Sequence, residues 1–470
     1  MVEKKSVPMR EQPVEQRVKN FDEVPLGYTE EEAIKEATRC LQCKNKPCVS
    51  GCPVGIEIPK FIQCIKEKKF HEGFNIIYNS DVLPAITGRV CPQEEQCQAR
   101  CVVGKVGDPV SIGKLERFLA DWERENGSRL DQKLENFSNS VVCEKRKKVA
   151  IVGSGPAGLS CAMDLVRMGY EVFVFEGFHK LGGVLVYGIP EFRLPKRIVE
   201  YEINMLEKLG VKFATNVLIG RALTISDLFK EGFEAVFVAA GAGLPKFMDI
   251  PGENLGGVYS ANEFLTRVNL MKAYKFPEYD TPVKKAANVA VIGGGNVAMD
   301  CARVAVRLGA KNVYLIYRRS EKEMPARIEE IERAKEEGVK FMVLTLPTRY
   351  FSDDRGFVKQ VECLRMELGE PDSSGRRKPV VVKGSEFAID IEQVIVAIGT
   401  TPNPILKITT PQLKTGSRGE IEVNADLETS VRGVFAGGDI VTGSATVITA
   451  MGAGRKAARS IDRYLKNSQK

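Results

Sequence analysis

Two stretches of the chain carry the same pattern of apolar and polar positions. In KKVAIVGSGPAGLSCAMDLVRMGYEVFVFE (147–176) an apolar run meets a glycine-rich break, then apolar residues at helical spacing, then a second apolar run. ANVAVIGGGNVAMDCARVAVRLGAKNVYLIYRRS (287–320) repeats that order. Unbroken apolar runs are what strands buried on both faces look like, so each stretch predicts a strand, turn, helix and strand of a parallel sheet. Toward the C terminus EQVIVAIGTTPN reads as a strand, and GVFAGGDIVTGSATVITAMGAGRKAARSI as a strand, a Gly-Gly-Asp turn and a long helix. The N-terminal part reads differently. YTEEEAIKEATRCLQC opens with Thr29 and Glu32 in capping-box spacing, which predicts a helix that delivers Cys40 and Cys43 near its end. From there to Trp122 short helical stretches alternate with cysteine-bearing loops. The polar, aperiodic segment ENGSRLDQKLENFSNSVVCEKRKK predicts a linker ending near residue 146.

Length and composition narrow the chemistry. A chain of 470 residues is expected to form two to four domains, at roughly 150 residues per domain, and can bury its cores without disulfides. MVEKKSVPMREQPVEQRVKNF has no apolar signal region, so the expectation is a cytoplasmic protein with reduced thiols. No run reaches the length of about eighteen apolar residues that a membrane span needs. Basic and acidic residues nearly balance, 68 against 61, with no basic block interleaved with aromatics, which argues against nucleic acid as a partner. With two histidines in the whole chain, a histidine metal site or a Ser-His-Asp triad is a poor candidate for the chemistry.

The cysteines suggest another chemistry. Cys40-x2-Cys43-x4-Cys48-x3-Cys52-Pro53 is followed by Cys91-x5-Cys97-x3-Cys101. Tight cysteine runs ending in Cys-Pro are how two-cluster ferredoxin-like domains hold their cubanes. Iron–sulfur ligation is therefore favoured over zinc, which prefers separated Cys-x2-Cys knuckles, and over disulfides or inert thiols. Two clusters need about eight ligands, and the two blocks supply seven cysteines. Cys64 is near enough in sequence to be the eighth, but its helical, apolar surroundings suit a core thiol. Cys143, Cys161, Cys301 and Cys363 are scattered and read as core thiols too.

The glycine turns point to dinucleotides. Gly153-x-Gly155-x-x-Gly158, with Pro156 and Ala157 between, follows a strand and opens a helix, and Glu176 closes the next strand. Such glycines admit a pyrophosphate to the backbone and helix N terminus, while the acid takes ribose hydroxyls. The second turn has Gly293-x-Gly295-x-x-Ala298, with Tyr317 at the acid's position and Arg318 and Arg319 after it. Arginine can pair with a ribose 2′-phosphate that a carboxylate would repel, so NADP(H) is favoured over NAD(H); the plain alternative is two solvated arginines at a strand end. The region KLGGVLVYGIPEFRLPK lacks the cysteine pair of flavoproteins that reduce a disulfide, so electrons leaving a flavin need another route, and the cysteine blocks offer it.

With both cysteine blocks, VAIVGSGPAGL, YGIPEFRLPK, VIGGGNVAMD, YRRSEKEMPA and AGGDI in view, the chain resembles the glutamate synthase small (beta) subunit family across residues 25–465. That family includes the large subunit of NADH-dependent reduced ferredoxin:NADP oxidoreductase and the N-terminal half of dihydropyrimidine dehydrogenase. The resemblance implies an α/β protein: a helical iron–sulfur domain (1–145) with two 4Fe-4S clusters, then two Rossmann-like domains. An FAD domain (146–284 and 396–470) would be interrupted by an NADP(H) domain (285–395). It implies that Cys40, Cys43, Cys48 and Cys101 hold one cluster, and Cys52, Cys91 and Cys97 the other, with Glu116 of SIGKLE as eighth ligand. For FAD it implies Gly153, Gly155, Pro156, Ala157, Gly158, Glu176, Gly182, Gly183, Leu185, Gly438, Asp439 and Thr446. It adds Arg193, for which, as for Lys196, a surface charge is the alternative. For NADP(H) it implies Gly293, Gly295, Asn296, Val297, Ala298, Asp300, Arg318 and Arg319. Catalysis would be flavin-based, with no catalytic side chain. The expected activity is an oxidoreductase subunit moving electrons between NADP(H), FAD and the clusters, as in ferredoxin:NADP oxidoreductase, with electron bifurcation left open. The alternative is the NADPH-oxidising small subunit of glutamate synthase. Either implies a second redox subunit: a ferredoxin- and NADH-linked flavoprotein subunit, or a glutamate synthase large subunit. A nucleotide sensor and a disulfide reductase are the remaining rivals.

Overall fold

A computed structural model describes residues 3–127, 147–372 and 375–467. The expected linker lies outside the described residues from residue 128 onward, as does Cys143. The N-terminal part is built on helices α1 (Glu30–Thr38), α2 (Ile58–Lys66), α3 (Phe70–Tyr78), α4 (Pro84–Val90) and α5 (Ile112–Asn126). Helix α1 starts at the expected capping box: Glu32 N donates to the Thr29 hydroxyl at 3.2 Å, and Thr29 N donates to the Glu32 carboxylate at 2.8 Å. Ile58, Phe61, Ile62 and Ile65 of α2 turn one apolar face inward, and Gly73 brings α3 close to it: a Cβ there would lie 3.2 Å from Cys64 Cβ.

The strands that follow are β1 (Lys148–Val152), β2 (Glu171–Phe175), β3 (Lys212–Ala214), β4 (Phe233–Val238), β5 (Val258–Ser260), β6 (Asn288–Ile292), β7 (Asn312–Tyr317), β8 (Lys340–Val343), β9 (Gln393–Val396) and β10 (Val434–Ala436). Helix α6 (Pro156–Arg167) joins β1 to β2 and α7 (Lys196–Lys208) precedes β3. Helix α8 (Asn296–Arg307) joins β6 to β7, α9 (Ile328–Glu336) joins β7 to β8, and α10 (Val447–Asn467) ends the described chain. They form two five-stranded parallel sheets, ordered β10-β4-β1-β2-β3 and β8-β7-β6-β9-β5. In each, the strand before the glycine turn has its successor on one side and a late strand on the other. The strand order reverses there, which opens a crevice at the strand C-terminal ends.

Strand β10 returns to the first sheet after the chain has built the second. The second sheet reaches further upstream than residue 285, because β5 pairs with β9 through Val258–Val394 and Ser260–Val396. Three residues, VYS, are too few for an apolar period to reveal. An antiparallel sheet of Thr345–Ser352, Val358–Pro371, Arg377–Val381 and Phe387–Asp390 lies between β8 and β9. Helix α10 packs on α6 at backbone contact: a Cβ on Gly454 would meet Ala157 O at 2.2 Å. Among the described residues no helix is long and apolar enough to cross a membrane.

Candidate redox centre: two nucleotide turns and two thiol groups

The first glycine turn sits between β1 and α6. Gly153 has φ +104°, and a Cβ on it would strike Ala239 O at 2.5 Å, so only glycine passes there. A Cβ on Gly158 would lie 2.0 Å from Gly153 O, which fixes how tightly helix and strand meet. Gly155 differs: its φ is −69° and a Cβ would meet no protein atom within 4 Å. Nothing in the protein demands glycine at 155, and the open space before the α6 N terminus, with Pro156 and Ala157 as its first residues, suits a pyrophosphate. Gly183 faces the same turn, since its Cβ would lie 3.0 Å from Gly155 Cα.

Glu176 directly follows β2 and turns one oxygen to this loop. Ser154 N donates to Oε2 at 3.1 Å and Phe178 N to Oε1 at 2.9 Å, while Gly182 N donates to the Ser154 hydroxyl at 2.9 Å. Ser154 was not anticipated from sequence. On the far side Gly438, at φ +78°, would bring a Cβ to 3.0 Å from Ala157 Cβ, and Asp439 follows it. Burial raises the Asp439 carboxyl, whose Oδ1 accepts from Ala445 N at 3.3 Å. Thr446 caps α10, its hydroxyl accepting from Thr449 N at 3.3 Å. Tyr187 senses the charges of both Asp439 and Glu176, and burial, more than either, pushes its phenol up to about 12.

Leu185, Arg193, Asp300 and Lys196 have their partners within the protein. Leu185 is fully buried in the core and its N donates to Gly182 O at 3.2 Å, so neither its side chain nor its N–H is free for a ligand. Arg193 and Lys196 are not surface charges: each is 8% exposed. Arg193 Nη1 reaches Asp300 at 2.7 and 2.9 Å, which spends both residues on a pair between the α7 approach and α8. Lys196 Nζ donates to Ile189 O at 2.6 Å and Leu194 O at 2.8 Å, and burial lowers it to about 8.

The second turn, between β6 and α8, repeats the first. A Cβ on Gly293 would strike Ala397 O at 2.3 Å, and one on Gly294 would strike the Tyr317 ring at 2.7 Å. Gly295 again opens outward, its nearest neighbour being Pro325 Cγ at 3.9 Å. Ala298 is fully buried beneath the turn, whereas Val297 is 45% exposed beside it. Asn296 Oδ1 accepts from Arg327 N at 3.0 Å. The two arginines part company. Arg319 is buried, donates from Nε to Arg377 O at 2.9 Å and pairs with Asp372, while Arg318 is exposed and forms no ion pair among the described residues. Adjacent residues at a strand end point opposite ways, and only Arg318 keeps a guanidinium free for a phosphate.

The thiols form two groups. Cys40 senses the charges of Cys101 and Cys43, and Cys48 those of Cys40 and Cys101; burial and this repulsion push the Cys48 thiol up to about 11. Cys91 senses Glu116, Cys97 and Cys52, and Cys97 senses Glu116 and Cys52; burial first, then these charges, holds both thiols well above their usual range. All the described cysteines are free thiols. Glu116 is buried, and its Oε1 accepts from the Thr87 hydroxyl at 2.5 Å while the same hydroxyl lies 2.6 Å from Asp81. One hydroxyl proton cannot serve two carboxylates. Burial and the Asp81 charge accordingly raise the Glu116 carboxyl well above its usual value. Each set gathers like-charged donors that raise one another's thiols, with Lys66 offsetting this only in part at Cys40, and such sets fit a cationic cluster. No three His, Cys, Asp or Glu side chains among the described residues gather closely enough for a single metal ion.

Cys64 stands apart. It faces Gly73 of α3 and senses Glu72, Glu67 and Lys69 rather than other thiols. Glu116→Ala is therefore expected to change the spectrum or potential of one cluster, and Cys64→Ala to change neither; the reverse outcome, read by electron paramagnetic resonance, would make Cys64 the ligand.

The Glu116 group adjoins the first nucleotide turn. Gln96, next to Cys97, donates from Nε2 to the Thr446 hydroxyl at 3.5 Å, and Pro53 O, next to Cys52, would lie 3.4 Å from a Cβ on Gly452 of α10. Thr87 and Asp81 belong to the Glu116 group although no local motif marks them; their roles arise from residues distant in sequence.

Comparison with known proteins agrees with this layout. Residues 17–128 match the family model described as dihydropyrimidine dehydrogenase domain II, 4Fe-4S cluster, and residues 147–454 match that of pyridine nucleotide-disulphide oxidoreductase. The glutamate synthase [NADPH] small chain of Halomonas elongata is 37% identical over 460 residues, covering 96% of this chain and 95% of that one. The NADP(+)-dependent formate dehydrogenase subunit beta of Moorella thermoacetica is 40% identical over 437 residues; the match covers 89% of this chain and 60% of that longer protein. The NADPH-Fe(3+) oxidoreductase subunit beta of Geobacter sulfurreducens is 37% identical, covering 97% of this chain and 69% of its own length. Among solved structures, FprA from Mycobacterium tuberculosis in complex with NADPH superposes with a TM-score of 0.58 at 21% identity, over 69% of this chain and 86% of that one. T. acidophilum thioredoxin reductase gives 0.51 at 22%, over 69% of this chain and 100% of that one. The two structures speak for the fold alone. The shared 4Fe-4S and pyridine nucleotide-disulphide oxidoreductase domains, with 37% identity along nearly the full length of both chains, make this protein a member of the glutamate synthase small-chain family.

Proposed function

We propose that the chain is an electron-transfer subunit in which NADP(H) at the turn after β6 exchanges a hydride with FAD at the turn after β1, and electrons pass singly to two 4Fe-4S clusters. The cluster of Cys52, Cys91, Cys97 and Glu116 stands nearer the flavin, and that of Cys40, Cys43, Cys48 and Cys101 beyond it. The observation that carries this is the contact of the Cys52–Pro53 and Gln96–Cys97 segments with the Thr446 cap and α10. FAD, when bound, converts the two-electron chemistry of nicotinamide into the one-electron chemistry of iron–sulfur clusters. The protein's part is placement. Gly155 and Gly183 leave the backbone approachable, Glu176 offers acceptors for ribose hydroxyls, and α6 presents its N terminus to the turn with α10 packed on its first residues through Gly454. In domain terms the reading is an iron–sulfur domain at 1–145, an FAD domain at 146–284 and 396–470, and an NADP(H) domain at 285–395 whose sheet also recruits β5.

A partner subunit completes the path in this reading: a ferredoxin- and NADH-linked flavoprotein subunit, or, on the strength of the Halomonas relative, a glutamate synthase large subunit. The absence of a redox cysteine pair in KLGGVLVYGIPEFRLPK favours one-electron acceptors over disulfides. Anaerobic purification from the native source identifies the partner by what co-elutes. The same preparation should reduce a viologen dye with NADPH and should not reduce thioredoxin; robust thioredoxin reduction would overturn the electron route.

A further inference from the structure

Arg327 follows directly on the YRRSEKEMPA segment and joins the second nucleotide turn to the thiol groups. It is 7% exposed. Its backbone N donates to Asn296 Oδ1, the first residue of α8, at 3.0 Å. Its guanidinium crosses to the loop between Cys91 and Cys97 and to the end of α4: Nε reaches Glu94 at 3.2 Å, Nη2 reaches Gln93 Oε1 at 3.1 Å, and Nη1 reaches Arg89 O of α4 at 3.2 Å. Gln93 is held in turn. A Cβ on Gly113 of α5 would lie 2.1 Å from Gln93 Nε2, so Gln93 is pressed against the helix that carries Glu116. From there Gln93 Nε2 approaches Thr87 O and Gly88 O at 3.4 Å, and the Thr87 hydroxyl bonds Glu116. An unbroken series of contacts thus runs from the nucleotide helix to a carboxylate of the Cys52, Cys91 and Cys97 group.

We propose that Arg327 is a positioning residue that couples occupancy of the second nucleotide turn to the reduction potential of the cluster held by Cys52, Cys91, Cys97 and Glu116. The proposal rests on the functional reading above. A phosphate settling at the α8 N terminus draws on Asn296, whose carbonyl accepts from Arg327 N. The shift passes through the guanidinium to Gln93 and Thr87, and hydrogen bonds around a metal ligand tune the potential of the centre. Coupling of this kind is reciprocal: if the nucleotide shifts the potential, reduction shifts nucleotide affinity by the same factor.

The test uses anaerobic holoprotein and adenosine 2′,5′-bisphosphate, a redox-inert half of NADP(H). Cluster potentials are titrated by electron paramagnetic resonance with and without saturating nucleotide, and its Kd is measured on oxidised and reduced protein. The wild type is expected to show about a threefold or larger change in Kd, equivalent to about 28 mV for one electron. One cluster should move and the other stay. Arg327→Lys and Asn296→Ala, compared at matched iron and FAD content, should bring the ratio close to one. Asn296 is half-buried and its Oδ1 is the acceptor that starts the path, so its variant decides the matter if Arg327→Lys does not fold. A wild type without the shift, or a shift that survives in the folded variants, overturns the coupling while leaving the electron route intact. A protein without clusters or FAD would instead overturn the functional reading.

Discussion

Replacing Gly155 by valine should leave the protein folded and strip it of FAD. The backbone at 155 has φ −69° and ψ −179°, a conformation any residue adopts, and a Cβ would meet nothing within 4 Å. The folded chain therefore does not resist the substitution; losing glycine as the α6 N-cap costs on the order of 1 kcal/mol. The branched side chain would fill the space before the helix N terminus, where the pyrophosphate must touch backbone N–H groups. The contrast is Gly153, where φ +104° and the Ala239 carbonyl make any side chain a folding defect. Flavin content per folded chain, with the circular dichroism melt as control, reads the difference. Undiminished flavin in a folded Gly155→Val protein would remove FAD from this turn.

Arg318→Ala should weaken NADPH by on the order of 10- to 100-fold and leave NADH nearly unchanged. A charge-assisted hydrogen bond to phosphate contributes roughly 1.5 to 3 kcal/mol, and about 1.4 kcal/mol is tenfold in affinity. Tyr317 at the end of β7 brings no carboxylate to repel a 2′-phosphate, and its hydroxyl is occupied with Glu323 O at 2.9 Å. Arg319→Ala should behave differently: it removes one partner of Asp372 and the anchor to Arg377 O, costing on the order of 1 to 3 kcal/mol in stability with little change in nucleotide preference. Steady-state dye reduction with both nucleotides, for the wild type and each variant, separates the roles. A wild type that prefers NADH, or an Arg318→Ala protein that keeps its NADPH preference, would make Arg318 a plain surface charge.

What could be read from sequence was whatever local chemistry dictates. Gly153 and Gly293 carry their function in their backbone angles, and a helix must follow each turn, so both nucleotide units were visible in about thirty residues each. The cysteine blocks were visible for a similar reason, since ligand spacing is a property of the chain. The remainder depended on tertiary contact. Nothing local distinguishes Arg318 from Arg319, because Asp372, which claims one of them, lies across an antiparallel sheet that no period announced. Arg193 and Asp300 look like cofactor contacts until the fold brings them within 2.7 Å of each other. Burial explains this pairing: a guanidinium and a carboxylate removed from water must find each other. Strand β5 escaped notice because three residues show no period, and Arg327 because its partners belong to another layer of the protein.

The electron route itself is tested most directly by mixing anaerobic, cluster-replete protein with NADPH while following flavin absorbance and the electron paramagnetic resonance signals of reduced clusters. The expected result is a bleached flavin band and reduced-cluster signals, in a protein holding one FAD and about eight iron atoms per chain. A flavin that stays oxidised, or zinc in place of the iron, would contradict it.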